Sequence, residues 1–173
     1  MTLFFDRMET PLGDIVLSFD KAGKIYSLDW ENPGRSATHS AERYYKNVQL
    51  THQALPSKIG NALHAYFDGD LKKIEGLAIH LSGTPFQNCV WQALCEIPVG
   101  EVCSYVDIAK KLNNPGAMRA VGMANNSNPI SIIVPCHRVI GADGKMVGYG
   151  SGVERKKWLL RHEGYLDQQS TLF

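Results

Sequence analysis

The 173-residue sequence predicts an α+β protein in two parts. A small N-terminal α+β domain should cover residues 1–82, and a mainly helical C-terminal domain with a helix-turn-helix should cover residues 83–173. Three observations predict this. Apolar and polar residues alternate over 13–30, as strands require. Capped apolar stripes at helical spacing dominate after residue 83. Between the two patterns, Leu81-Ser82-Gly83 reads as a break.

In chain order, Gly13-Asp14-Ile15-Val16-Leu17-Ser18-Phe19 and Lys24-Ile25-Tyr26-Ser27-Leu28-Asp29-Trp30 flank the turn residues Asp20-Lys21-Ala22-Gly23, which predicts an antiparallel hairpin. Residues 31–52 are polar and show no period. Ile59, Leu63 and Phe67 then stripe a helix that Asp68-Gly69-Asp70 ends. No catalytic constellation is visible in this first part. In the second part, Thr84-Pro85-Phe86-Gln87 offers an N-cap, a proline at the first helical position and a capping-box glutamine, with Phe86, Val90 and Leu94 as the core stripe.

Ile97-Pro98-Val99-Gly100 breaks that helix. A short one begins at Ser104-Tyr105-Val106-Asp107, with Ile108, Ala109 and Leu112 inward. It stops at Asn113-Asn114-Pro115, where Asn114 can cap and Pro115 can open a further helix to about Ala124. That second helix carries Gly116, Ala117, Ala120, Gly122 and Ala124, with Arg119 as its only charge. Glycine in a helix interior costs about 1 kcal/mol relative to alanine, so close approach to another surface should offset Gly122. Either a packed helix or a nucleic-acid groove would serve. The last helix runs from about Val153 to Glu163 and ends at Gly164. Its basic run Arg155-Lys156-Lys157 reads as a solvated face.

Composition excludes several classes. The hydrophobic share of 44% supports a real core, and the formal charge of +1 leaves no global field for a polyanion. Any phosphate contact must use a local patch drawn from Lys110, Lys111, Arg119, Lys145 and Arg155. The N-terminus lacks the pattern of a secretory signal, and no run approaches the roughly 20 apolar residues that span a bilayer. Cys89, Cys95, Cys103 and Cys136 show no CxxC spacing. A reduced, cytoplasmic protein is expected, with no membrane partner and no zinc, and with Cys89 and Cys95 packed in a helix. The loop Gly148-Tyr149-Gly150-Ser151-Gly152 permits a close backbone approach to a ligand or is a plain connection.

Ile133-Val134-Pro135-Cys136-His137-Arg138-Val139-Ile140 carries the chemistry. Ile130 to Val134 reads as a buried strand that would hold Cys136 rigidly. A free thiol has a pKa near 8.5 and is a poor nucleophile at neutral pH until a base or cation acts on it. A buried, inert cysteine is the competing reading of the octet. Extended backbone would point His137 away from the Cys136 sulfur, so the imidazole would take the proton through a water. It would need a carboxylate to fix its tautomer. Glu163, which opposes the helix macrodipole at the end of the last helix, is the candidate.

Gly83-Thr84-Pro85-Phe86-Gln87, Val90-Trp91, Ile97-Pro98, Ser104-Tyr105, Arg119-Ala120-Val121-Gly122, Asn128-Pro129, Pro135-Cys136-His137-Arg138-Val139, Gly148-Tyr149 and Lys157-Trp158-Leu159-Leu160-Arg161-His162-Glu163-Gly164-Tyr165 together resemble the O6-alkylguanine-DNA alkyltransferases. The closest likeness is to the bacterial stand-alone proteins. The resemblance covers about residues 83–166 without a gap and is weaker over 1–82, where it implies a ribonuclease H-like scaffold.

What the resemblance implies is direct-reversal repair: an irreversible, stoichiometric transfer of the alkyl group from O6-alkylguanine, and from O4-alkylthymine, to Cys136. His137 would be the base, Glu163 its orienting carboxylate, and Asn128 would hold the active-site turn. Tyr105 would polarise the departing guanine and help rotate the nucleotide, and Arg119 would replace the extruded base. Ser104, Ala117 and Gly122 would contact double-stranded DNA through the minor groove. Val139, Tyr149, Gly150 and Ser151 would line the base pocket. No cofactor or metal and a monomeric protein are implied.

Three other classes compete. A non-catalytic recognition protein for alkyl lesions would lack the acceptor cysteine. A cysteine hydrolase would need an oxyanion hole and would turn over. A DNA-binding regulator would have no use for Pro-Cys-His-Arg.

Overall fold

The chain's computed structural model describes residues 1–166. Two units can be distinguished: Met1–Ser82 together with Pro129–Ile133, and Gly83–Asn128 together with the chain from Val134 onward. The first unit thus recruits a five-residue segment lying just ahead of Cys136 in the sequence.

The first unit holds a four-stranded sheet. Its strands are β1 (Thr2–Met8), β2 (Ile15–Phe19), β3 (Ile25–Trp30) and β4 (Gln49–His52), in the order β3-β2-β1-β4. The predicted hairpin is β2–β3, antiparallel, with Ile15 opposite Trp30 and Leu17 opposite Leu28. Asp20 builds its turn, since Oδ1 accepts from the amides of Ala22 and Lys24, both at 2.9 Å. The alternation does not mark a solvent face. Ser18 and Ser27 are buried and share a hydrogen bond of 2.6 Å between their hydroxyls.

Two elements fall in the aperiodic stretch 31–52: α1 (His39–Tyr44) and the edge strand β4, which runs parallel to β1. Six residues are too few to show a helical period, and β4 is polar because it is mostly exposed. Helix α2 (Ser57–Phe67) buries Ile59, Ala62, Leu63 and Tyr66, so Tyr66 and not Phe67 completes its core stripe.

In the second unit, α3 (Pro85–Cys95) opens with the expected capping box. The Gln87 amide donates to Thr84 Oγ1 at 3.2 Å, and the Thr84 amide donates to Gln87 Oε1 at 2.9 Å. Its buried face is Val90, Trp91, Ala93 and Leu94, which leaves Cys89 and Cys95 exposed and not packed as the sequence suggested. Strand β5 (Cys103–Ser104) pairs in parallel with β6 (Val139–Ile140). Ser104 then caps α4 (Tyr105–Lys111) in a second reciprocal box with Asp107.

Helix α5 (Met118–Asn126) starts later than Pro115. Asn113 takes a left-handed φ of +56°. Asn114-Pro115-Gly116-Ala117 then closes a turn through the Ala117 amide and the Asn114 carbonyl at 3.0 Å. Pro115 is therefore a turn residue, and Asn114 does not cap α5; its amide instead donates to the Ala109 carbonyl at 3.0 Å at the end of α4.

The approach to Cys136 is also a turn, not a buried strand. Only Ile130 bridges to a strand residue, Leu28. Ile132 is then fully buried at φ +72°, inside a three-residue turn closed by Ile133 N to Ser131 O at 2.8 Å. A β-branched residue held there stores about 1–3 kcal/mol that its burial must offset. A tight turn around Pro135 brings the Cys136 amide to the Val134 carbonyl at 2.8 Å, and Cys136–Arg138 forms one 3₁₀ turn before β6. The last helix is α6 (Val153–His162), with Glu163 as its C-cap.

Candidate active site

Asn125 in the last turn of α5 and Asn128 just beyond the helix hold the backbone around Cys136. Asn128 Nδ2 donates to the Val134 carbonyl at 2.7 Å, and Asn125 Nδ2 donates to the Cys136 carbonyl at 3.3 Å. Asn125 is 1% exposed, and sequence reasoning passed over it. A buried amide at a helix end facing an irregular turn is the signal that could have found it, because such a turn leaves carbonyls unpaired. Cys136 itself is 5% exposed.

His137 and Glu163 are both buried, and His137 Nε2 lies 2.8 Å from Glu163 Oε1. The missed member of this group is Arg138. It is buried, and it donates from Nε to Glu163 Oε2 at 2.8 Å, from Nη2 to Oε1 at 2.9 Å, and from Nη1 to the Ile97 carbonyl at 2.8 Å. A charged residue inside the apolar run 133–140 had to have a partner, and that was its signal. Burial alone would raise the Glu163 carboxyl. His137 and Arg138 outweigh it and hold the group well below the usual carboxylate range. With Glu163 ionised and able only to accept, Nε2 is the ring nitrogen that donates to it. Nδ1 is buried and has no hydrogen-bond partner among the described residues.

Tyr105, half-buried at the start of α4, donates its hydroxyl to the Val147 carbonyl at 3.1 Å. Burial first, and the charge of Cys136 second, raise its pKa, which keeps the hydroxyl protonated. The loop passes it closely. A Cβ on Gly148, at φ +74°, would sit 2.8 Å from the Tyr105 hydroxyl. Tyr149 is buried, Gly150 exposed, and Ser151 half-buried, with its carbonyl accepting from Arg155 Nη1 at 3.2 Å. Val139 is fully buried.

Along α5, Arg119 is exposed, Ala117 and Gly122 are half-buried, and Ser104 spends its hydroxyl on capping α4. Of the basic patch, Lys111 pairs with Glu96, Lys145 with Asp143 at 3.5 Å, and Arg155 turns to Ser151. Lys156 departs most from expectation. It is fully buried, not solvated. Among the described residues no group of three His, Cys, Asp or Glu side chains could hold a metal ion, and no helix is long and apolar enough to cross a membrane.

A thiol on a turn, with an imidazole–carboxylate pair and a tyrosine hydroxyl in the same unit, is the set of groups that a cysteine nucleophile would use. Comparison with known proteins narrows the class. Residues 85–165 match the family model of the 6-O-methylguanine DNA methyltransferase DNA-binding domain. The methylated-DNA–protein-cysteine methyltransferase of Methanosarcina mazei is 57% identical over 161 residues, 93% of this chain and 97% of the relative. The Shigella flexneri protein of that name is 43% identical over 171 residues, 96% and 98% of the two chains. Among solved structures, Mycobacterium tuberculosis OGT in complex with DNA aligns with a TM-score of 0.80 and 41% identity, covering 92% of each chain. The chain belongs to the methylated-DNA–protein-cysteine methyltransferase family.

Proposed function

We propose that this chain performs the DNA repair reaction of its family by moving the alkyl group of O6-alkylguanine onto Cys136. The observation that carries the assignment is the orphaned, buried Nδ1 of His137, with Nε2 locked onto Glu163. The site is built to accept one proton next to one thiol. His137 Nδ1 takes the Cys136 proton through a water, and the thiolate attacks the alkyl carbon in line. The S–C bond forms as the C–O6 bond breaks, and the guanine leaves with that electron pair and regains a proton. Tyr105, kept protonated, can donate to the departing base once it lets go of Val147. Asn128 and Asn125 keep the turn in place. The product is a thioether that nothing in the chain reverses, so each molecule reacts once. The same attack serves O4-alkylthymine.

The lesion must leave the stack to reach a 5%-exposed cysteine, at a cost of a few kcal/mol. In this reading α4 and α5 act as a helix-turn-helix on the minor groove, with Arg119 filling the vacated position. Gly122 supports it. A Cβ there would meet only Tyr105 ring carbons at 3.9 Å, an ordinary contact, so packing within the protein does not require the glycine. Gly116 likewise has open space around it. Residues 1–82 serve as a ribonuclease H-like scaffold, residues 83–173 carry DNA binding and the acceptor, and the protein acts as a monomer.

The test is intact mass after incubation with duplex DNA holding one O6-methylguanine. One methylene of added mass on Cys136, saturating at one equivalent and absent in Cys136→Ser, is the expected result. Unmodified protein that still binds the lesion would make it a recognition module, and repeated turnover would overturn the mechanism.

A further inference from the structure

Among the described residues the exposed large apolar side chains are Met1, Met118, Met123, Val147 and Val153. All but Met1 belong to the second unit, and two of them stand on α5. Met123 is the extreme case, 72% exposed against 46% for Met118. The helix is fastened through its other face, by Val121, Ala124 and Asn125. A single exposed methionine needs no explanation, but the place of this one does.

Residues four apart in a helix are neighbours, and a long side chain leans back over the turn before its own Cα. Met123 therefore lies over the turn that carries Arg119. By helical spacing it is roughly 40° round the axis from Arg119, and Gly122 is roughly 60° the other way. Gly122 is on the side of Tyr105, whose ring carbons a Cβ there would meet at 3.9 Å. Arg119 thus stands between unlike flanks, one small and next to Tyr105, the other a bulky thioether. The helix has no acidic residue, and Arg119 is its only charge. A lone cation beside an apolar side chain suits a partner with phosphates along its rim and sugar edges and base faces within. That partner is duplex DNA, and residues 85–165 match a DNA-binding domain.

We propose that Met123 is a second groove probe: an apolar wedge that enters the duplex beside Arg119, on the flank away from Tyr105, and presses on the strand opposite the lesion. The inference rests on the reading of α4 and α5 as minor-groove helices and says which residue of that site responds to the second strand. Opening a base step loses stacking that an inserted apolar side chain partly returns. A thioether suits the task because it bends to fit an irregular surface. The wedge acts only where an opposite strand exists, so duplex and single-stranded substrates separate it from the chemistry.

The full chain is compared with Met123→Gln, Met123→Leu and Arg119→Ala in single-turnover methyl transfer. The substrates are O6-methylguanine in a duplex and in the same strand alone, and the readout is the ratio of the two rate constants. Damage to the acceptor site slows both reactions and leaves that ratio where it was. Met123→Gln keeps the length of the side chain but makes it polar, and should lower the ratio about fivefold to tenfold. Met123→Leu should restore it to within about twofold. Pyrrolocytosine opposite the lesion gives a second readout, since the fluorescence rise that wild type induces should shrink in Met123→Gln. A wild-type ratio in Met123→Gln, with that of Arg119→Ala reduced, overturns the inference and leaves α5 in the groove. Wild-type ratios in both overturn the groove reading as well. A wild type that sediments as a dimer, separated by Met123→Gln with the ratio unmoved, would make the methionine a contact between copies of the chain and also overturn the wedge. Wild type that gains no methyl from either substrate sinks the acceptor reading instead. The fluorescence then decides the wedge alone, and a full rise in Met123→Gln overturns it.

Discussion

Replacing Glu163 with glutamine keeps the shape of the site and removes one charge, which makes it the sharpest probe of how the site is held. The carboxylate accepts three hydrogen bonds, one from His137 and two from Arg138, at 2.8, 2.8 and 2.9 Å. An amide can still accept on one oxygen, but its NH2 faces donors. The Arg138 guanidinium, with a side chain only 7% exposed, is left without a counter-charge. Breaking a buried ion pair from one side costs about 3–5 kcal/mol, a large part of a typical domain's stability. His137 also loses the partner that fixes its tautomer, so methyl transfer should slow by about 10²–10⁴.

The readouts are urea unfolding and single-turnover transfer at low temperature, with Arg138→Met/Glu163→Gln as the companion. The double variant removes both charges and should regain stability without regaining rate. Linkage gives a third readout. The native carboxyl titrates below its ordinary value of 4.5, so below 4.5 the unfolded chain takes up a proton that the native one refuses. Wild-type stability should therefore fall as pH drops through that range, and more steeply than in Glu163→Gln. A Glu163→Gln protein that transfers methyl within about twofold of wild type would refute the base assignment.

Three further substitutions separate scaffold from chemistry. Thr84→Ala should cost about 0.5–2 kcal/mol in unfolding experiments by removing the α3 cap, with transfer unchanged in the folded protein. Asn128→Ala removes the 2.7 Å bond to Val134 and should cost about 1–3 kcal/mol while slowing transfer, because the turn carrying Cys136 loses a support. Gly148→Ala places a Cβ 2.8 Å from the Tyr105 hydroxyl at a positive φ, so it should slow transfer more than it lowers stability; equal losses would argue that the loop is only structural.

What the sequence made legible depended on how local the physics is. The capping box at Thr84, the hairpin turn at Asp20 and the His137–Glu163 pair could be read because each follows from a short spacing or from the family's motifs. The strand expected over 130–134 failed because a β-branched run usually signals extended backbone, whereas here tertiary burial holds Ile132 at positive φ. Lys156 and Arg138 were missed for a related reason. A basic residue in a basic run, or within a motif, shows its charge in the sequence but not the carbonyls and carboxylate that satisfy it.

The basic patch illustrates the same limit and yields a quantitative test. Five cations were available to meet phosphate, but Lys111 and Lys145 are paired with Glu96 and Asp143, and Arg155 is turned to Ser151. Lys110 and Arg119 are exposed and make no ion pair among the described residues. Each neutralised phosphate contributes a slope of about −0.9 in log K against log salt, so these two contribute about −2 where five would give about −4.5. Lys111 is the nearest reserve, because its pair with Glu96 is exposed on both sides and worth little. Glu96→Gln should release it and steepen the slope by about one unit on undamaged duplex, with the rate at saturating DNA unchanged. An unaltered slope would mean that the face of α4 bearing Lys110 and Lys111 does not meet phosphate, and Arg119 would then have to act without the flanking charge proposed for it.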